Sequence, residues 1–178
     1  MAERLPAKSI VLDEMVTSSD AVRRFLGRRE PGSLLSAGAP GLGWALGAGV
    51  GVRLAAPDQT VVALVGDGSF VFGSPVAALW AAQQAEAPFL TVVLNNGGYN
   101  ASKMPVLGLF PDGASRRANA FPGVRFPTPP DYAALARSCH AYGERVEDPS
   151  ELGPAIERGL AAVGSGQAAV LDVVLTPI

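Results

Sequence analysis

The sequence predicts an α/β fold, with a parallel sheet covered by helices on both faces. Three observations carry this. Apolar runs of strand length alternate with stretches of helical length along most of the 178 residues. Two of the runs, 60–65 and 89–94, are almost wholly apolar, as strands buried on both faces must be. Between them lies an alanine-rich stretch, 75–85, long enough to be the helix that returns the chain to the same edge of a sheet.

Each element follows from local chemistry. Residues 20–29 form a short helix, with Asp20 at its positive end and Arg28-Arg29 at its negative end. Ser33-Leu34-Leu35-Ser36 makes a first short strand, and a glycine-rich turn follows from Gly38 to Gly43. A helix over 42–55 closes at Pro57. The strand at 60–65, the helix at 75–86 and the strand at 89–94 come next. From Gly97 to Pro130 no period is visible, and Pro105, Pro111, Pro122, Pro127, Pro129 and Pro130 crowd the segment, so it is expected to be an irregular active-site loop. A helix over 131–140, a strand at 143–146, a helix opened by Asp148-Pro149-Ser150-Glu151 and ending near Gly164, and a strand at 168–175 complete the chain. There is no internal repeat and no domain boundary, so residues 1–178 are expected to form one domain.

The chemistry sits at two strand ends. Gly66-Asp67-Gly68 follows one apolar run, and Asn95-Asn96 follows the next after 26 intervening residues. Parallel strands joined by one crossover open onto the same sheet edge, so a carboxylate and an amide oxygen converge there on a hard cation. Magnesium takes about six oxygen ligands, and a backbone carbonyl of the turn Asn96-Gly97-Gly98-Tyr99 is a natural third. Oxygens of a bound ligand and water would complete the shell. Gly66 and Gly68 allow a ligand to approach closely, and Ser69 either meets phosphate oxygens or caps the turn. Asn95 holds the turn rather than a metal. No Walker lysine follows the glycines, so this is not a P-loop.

Gly41-Leu-Gly43-Trp-Ala-Leu-Gly47 is close to a dinucleotide fingerprint, but its last spacing is one residue too long and no acid closes a second strand at the right distance. Gly43, Gly47 and Gly51, four residues apart, instead leave a smooth helix face for close packing against another element or subunit.

Composition narrows the class. Apolar residues make up 48% of the chain, enough for a substantial core, and the formal net charge of −2 with scattered Lys and Arg gives no basis for nucleic acid binding. Cys139 is the only cysteine, which excludes an internal disulfide and fits a cytoplasmic location. The start, Met1-Ala-Glu-Arg-Leu-Pro, has no signal-peptide core. The longest uncharged stretch, 68–85, is broken by Gly73, Pro75, Gln83 and Gln84, so no membrane span is expected. His140, the only histidine, follows a helix and is read as a surface or helix-end residue.

The GDG and NN pair at this spacing resembles the cofactor signature of thiamine-diphosphate enzymes. Gly41-Leu-Gly-Trp-Ala-Leu, Val65-Gly-Asp-Gly-Ser-Phe, Ala78-Leu-Trp-Ala-Ala-Gln, Val93-Leu-Asn-Asn-Gly-Gly-Tyr and Gly143-Glu-Arg-Val-Glu-Asp-Pro occur in order. Together they resemble the C-terminal diphosphate-binding domain of the benzoylformate decarboxylase and acetolactate synthase group, over roughly 12–175. The resemblance implies a three-layer sandwich around a six-stranded parallel sheet, with thiamine diphosphate and Mg2+ as cofactors. It implies metal ligation by Asp67, Asn96 and the carbonyl of Gly98. Leu42 would be the wedge beneath a bent cofactor, and the Pro40 carbonyl would meet the pyrimidine amine, although proline there departs from the family. Gly41 and Tyr99 would border the cofactor. Thr17 and Ser18 fall where the family contacts diphosphate, or else cap the following helix.

Members of this group are far longer than this chain and carry a separate pyrimidine-binding domain with a glutamate that activates the cofactor. No glutamate here takes that role. The resemblance thus implies one subunit of a split enzyme, a hetero-oligomer whose partner supplies the activating glutamate, acting on a small 2-oxo acid by decarboxylation or carboligation. A noncatalytic cofactor-binding or regulatory subunit, an acetolactate-synthase-like acyloin synthase and an excised domain stay open. Asn100, Lys103, Met104 and Leu107 would line the substrate side. Lys103, Arg116 or Arg117 either attract a substrate carboxylate or are solvated surface charges.

Overall fold

The computed structural model describes residues 2–27, 30–39 and 41–176. Arg28, Arg29 and Pro40 lie outside them, so the helix-end role of the two arginines and the carbonyl role of Pro40 cannot be placed.

Six strands form one sheet: β1 (Ser9–Glu14), β2 (Leu34–Ser36), β3 (Thr60–Gly66), β4 (Leu90–Asn95), β5 (Tyr142–Val146) and β6 (Ala169–Val174). Their order is β2-β1-β3-β4-β6-β5, and every pairing is parallel. Eight α-helices accompany them among the described residues: α1 (Ser19–Leu26), α2 (Trp44–Ala55), α3 (Asp67–Phe72), α4 (Pro75–Gln84), α5 (Asn100–Leu109), α6 (Ala114–Ala118), α7 (Tyr132–Ser138) and α8 (Leu152–Gly164). None is long and apolar enough to cross a membrane.

Period-two alternation along the strands builds the three layers. Val61, Ala63 and Val65 of β3 join Leu46, Phe70, Leu79 and Tyr132 from α2, α3, α4 and α7. Val62 and Leu64 face the other way, toward Leu26 of α1 and Ala155, Ile156 and Val163 of α8. Both faces of the central strands are therefore dry, and each fully buried Leu or Val contributes roughly 1.5–3 kcal/mol of transfer free energy.

Three expectations are corrected. The first strand is β1, not the segment at 33–36. Only Ile10-Val11-Leu12 of β1 is apolar, and it ends in two acids, Asp13 and Glu14, that are nevertheless buried. The segment 97–130 is not wholly irregular, because it contains α5 and α6. Pro105 sits inside α5, where it removes only one intrahelical donor. Of the three glycines expected to allow close packing only Gly43 does so, where a Cβ would fall 2.9 Å from the Gly73 Cα; nothing lies within 4 Å of a Cβ at Gly47 or Gly51, and it is Gly49, where a Cβ would fall 2.7 Å from the Phe89 ring, that lets α2 close on the core.

One close approach fixes the edge strand. A Cβ at Gly143 in β5 would lie 2.1 Å from the Ala133 carbonyl oxygen of α7. Because the obstacle is backbone, Gly143→Ala is expected to cost about 1–3 kcal/mol of overpacking. Urea denaturation measures it, and a loss under about 0.5 kcal/mol, the usual range for neutral surface changes, would contradict this packing.

Candidate functional site

Chain order and sheet order disagree at two places, the β1/β2 edge and the β6/β5 edge, and the site lies at the first. From β1 the chain moves outward to β2, then returns to β3 on the other side of β1. Such a reversal leaves a crevice beyond the carboxyl ends of the two strands. A hollow of about 310 Å³ opens there, walled by Thr17 after β1, Gly66, Asp67, Gly68 and Ser69 after β3, Asn96, Gly98 and Tyr99 after β4, and Leu42 from the loop before α2. Register explains the convergence: Gly66 pairs with Leu94, so the next residues of both strands emerge side by side.

Asp67 is the most constrained member. It is 2% exposed. Its Oδ1 accepts the Gly68 N–H at 2.9 Å and its Oδ2 the Gly98 N–H at 2.8 Å. The Asn96 Oδ1 accepts from the same Gly98 N–H at 3.2 Å, so carboxylate and amide oxygen meet around one donor. Burial pushes the Asp67 carboxyl above its ordinary value, against the opposing pull of the backbone N–H bonds from Gly68, Gly98 and Gly97. A cation would reverse that penalty.

The turn carrying Asn96 and Gly98 is held from two sides. On one side Asn95 donates through Nδ2 to Asp172 at 2.8 Å and accepts the Gly97 N–H at 3.2 Å. Asp172 in turn takes a 2.8 Å bond from Arg145 Nη1, yet burial outweighs these partners and pushes its carboxyl up. Asn95 is thus a turn-holder. On the other side Tyr99 N–H donates to the Val124 carbonyl at 2.7 Å, and Phe126 N–H to that of Gly97 at 2.9 Å. The Tyr99 ring packs edge-on against Phe126 and occupies the space that Gly68 leaves open; a Cβ at Gly68 would fall 2.4 Å from it.

One residue of this region belongs to no motif. Glu14 is buried at the end of β1, where Oε1 accepts the Gly43 N–H and Oε2 the Ala45 N–H at 2.7 Å. It caps the N-terminus of α2 from a distance of about thirty residues and so sets the loop that presents Leu42. Ser69 donates to the Glu14 carbonyl at 3.4 Å. The only signal for Glu14 was an acid ending a short apolar run.

The other anticipated residues fall as follows. Gly41 lines a neighbouring hollow of about 380 Å³ that shares Leu42 with the first. Ser18 stands at the start of α1 but lines neither hollow, and its side chain makes no capping bond; Ser19 ties that helix to Asp13 and the Met15 carbonyl. Asn100 lines the first hollow, while Met104 and Leu107 line neither. His140 has a left-handed backbone just beyond α7 and accepts a bond from Gln167 through its carbonyl.

The donor set fits a hard divalent ion. Among the described residues no three His, Cys, Asp or Glu side chains converge, so a cation here would have one carboxylate, an amide oxygen and a main-chain oxygen from the protein. The Gly98 carbonyl accepts the Asn100 N–H at 3.1 Å and keeps a second lone pair. Magnesium takes such sparse protein shells when a phosphate ligand completes them. Fold and site together define a doubly wound α/β domain suited to a phosphate-bearing ligand held through a metal.

The chain belongs to the thiamine pyrophosphate enzyme family, as its C-terminal TPP-binding domain: the model of that family matches residues 15–173. It is 34% identical over 159 residues to a benzoylformate decarboxylase of Pseudomonas aeruginosa, covering 88% of this chain and 28% of that protein. It is 35% identical over 149 residues to an acetolactate synthase large subunit of Mycobacterium tuberculosis, covering 83% of this chain and 25% of that one. The structure of a thiamine diphosphate-dependent 4-hydroxybenzoylformate decarboxylase of Rhodococcus jostii superposes with a TM-score of 0.84 at 29% identity, over 99% of this chain and 31% of that chain. The chain therefore spans less than a third of the length of these relatives.

Proposed function

We propose that this chain is the diphosphate-binding subunit of a thiamine-diphosphate- and magnesium-dependent 2-oxo acid decarboxylase or carboligase, completed by a separate pyrimidine-binding subunit. The observation that carries it is the meeting of Asp67, Asn96 and Gly98 at the switch point of the sheet. In this reading Asp67, Asn96 and the Gly98 carbonyl hold the cation. Ser69 and Thr17 orient the diphosphate, and Ser18 and Gly41 stand just outside that wall. Leu42 forms an apolar shelf, and Gly66, Gly68 and Tyr99 shape the floor. Thiamine diphosphate, when bound, supplies the nucleophilic carbon and electron sink that 2-oxo acid chemistry needs.

Two observations support a partner. Two exposed apolar side chains line the site, Val16 at 65% and Leu42 at 36%. Apolar surface left open at a binding site suits a face that a partner covers. Glu14, the one buried glutamate among the described residues, is committed as acceptor to two backbone donors, which favours an activating glutamate from outside the chain. The half-buried Cys139 fits a reducing, cytoplasmic setting.

Reconstitution tests this. The purified chain with thiamine diphosphate and magnesium is expected to bind weakly and release no carbon dioxide from 2-oxo acids. Addition of the product of a neighbouring pyrimidine-domain gene is expected to raise affinity and start turnover. Turnover by the chain alone would refute the shared site.

A further inference from the structure

Three hollows run in series around Asn100. The first is the candidate cofactor site. A second, also about 310 Å³, shares Asn96, Gly98 and Asn100 with it and adds Arg125. A third, of about 500 Å³, shares Asn100 and Arg125 with the second and adds Lys103, Asn119 and Phe121. Shared walls set the three hollows side by side, next to the candidate metal ligands.

The third hollow is cationic. Lys103 Nζ stands 5.2 Å from the centre of the Phe121 ring, which turns it across the third hollow. Arg125 is placed there by its backbone, because it bridges Gly98 in an isolated antiparallel pair. Neither makes an ion pair among the described residues, and no acid lines the hollow. The bias extends beyond the walls: of the five charged side chains between residues 97 and 130, Lys103, Arg116, Arg117 and Arg125 are basic and only Asp112 is acidic. Four basic groups in one segment of a chain whose net charge is −2 call for an anion. A guanidinium and an ammonium lining one hollow, together with Asn100 and Asn119, suit a carboxylate.

We propose that the Lys103–Arg125 hollow is a subsite for the distal carboxylate of a dicarboxylic 2-oxo acid, whose reacting end points back past Asn100 to the cofactor. The substrate assignment rests on the function proposed above; the carboxylate site does not.

The test needs no cofactor. Glutarate titrated into the labelled full chain is expected to shift the amide signals of residues 100, 103 and 119–127, whereas glutaramide, its neutral analogue, leaves them in place. The double variant Lys103→Met/Arg125→Gln is expected to weaken glutarate binding at least tenfold. Unchanged binding in the variant, shifts confined to other residues, or equally strong shifts with inorganic phosphate would overturn the carboxylate subsite. Thiamine diphosphate with magnesium, titrated into the parent in the presence of the partner, reads the underlying function separately. In the reconstituted complex, the preference in kcat/KM for 2-oxoglutarate over 2-oxobutyrate is expected to fall at least tenfold in the double variant. No change in that preference would sink the substrate class.

Discussion

Asp67→Asn is expected to lower the affinity of the reconstituted complex for thiamine diphosphate and magnesium at least about 100-fold, or roughly 2.7 kcal/mol, while the protein stays folded. The two effects separate because they have different causes. Binding loses the one carboxylate that lines the site among the described residues, and a neutral amide is a poor substitute for a carboxylate on a hard divalent ion. Stability loses little, and its sign follows from burial. The folded state holds the Asp67 proton more tightly than the unfolded chain does. The stability linked to this group is therefore fully present below the ordinary carboxylate value and is lost as pH rises through the raised folded value. At neutral pH the ionised form carries a cost that asparagine, like the protonated acid, does not. Against that relief, the new amide turns a donor toward either the Gly68 or the Gly98 N–H, at about 1–3 kcal/mol. Calorimetric titration and a thermal melt measure the two sides. Affinity within threefold of the parent would remove Asp67 from the metal site, and a melt lowered by tens of degrees would make it a structural residue instead.

The parts of this molecule that are legible in its sequence are those where the signals agree. The runs around β3 and β4 are apolar on both faces, so period, length and burial all agree. The convergence of Asp67 and Asn96 followed from topology, because parallel strands in adjacent register can only end together. What was hidden lies where two signals oppose. β1 is an inner strand of the sheet, yet two acids end its short apolar run, and the donors that satisfy Glu14 come from Gly43 and Ala45 and are invisible until the chain folds. α3 begins inside the Gly66–Gly68 turn, where glycine reads as a breaker. α5 contains Pro105 and was masked by it. Ser18 and Ser19 are adjacent and chemically alike, and only Asp13 decides which of them is tied down.

The same limit sets the last expectation, at Gly97-Gly98, two glycines that a sequence cannot tell apart. Gly97 has a left-handed backbone, φ +78°, but nothing lies within 4 Å of a Cβ there. Gly98 has no such constraint, and a Cβ there would fall 2.1 Å from the Val124 carbonyl oxygen and 3.1 Å from the Arg125 Cα. Alanine at 97 thus costs backbone strain, about 1–2 kcal/mol, without touching a neighbour. Alanine at 98 must push the 124–126 segment away, and that segment anchors the turn through Tyr99 N–H and Phe126 N–H. Overpacking costs about 1–3 kcal/mol in stability, and the displacement also moves the Gly98 N–H that draws Asp67 and Asn96 together. Gly98→Ala is therefore expected to lower cofactor affinity about 10–100-fold, the range for losing a support behind metal ligands, while Gly97→Ala lowers it less than fivefold at a similar loss of stability. Paired melts and titrations on the two variants measure this. Equal losses of affinity would mean that the turn responds to strain in general, and the specific contact between Gly98 and Val124 would then have no part in forming the site.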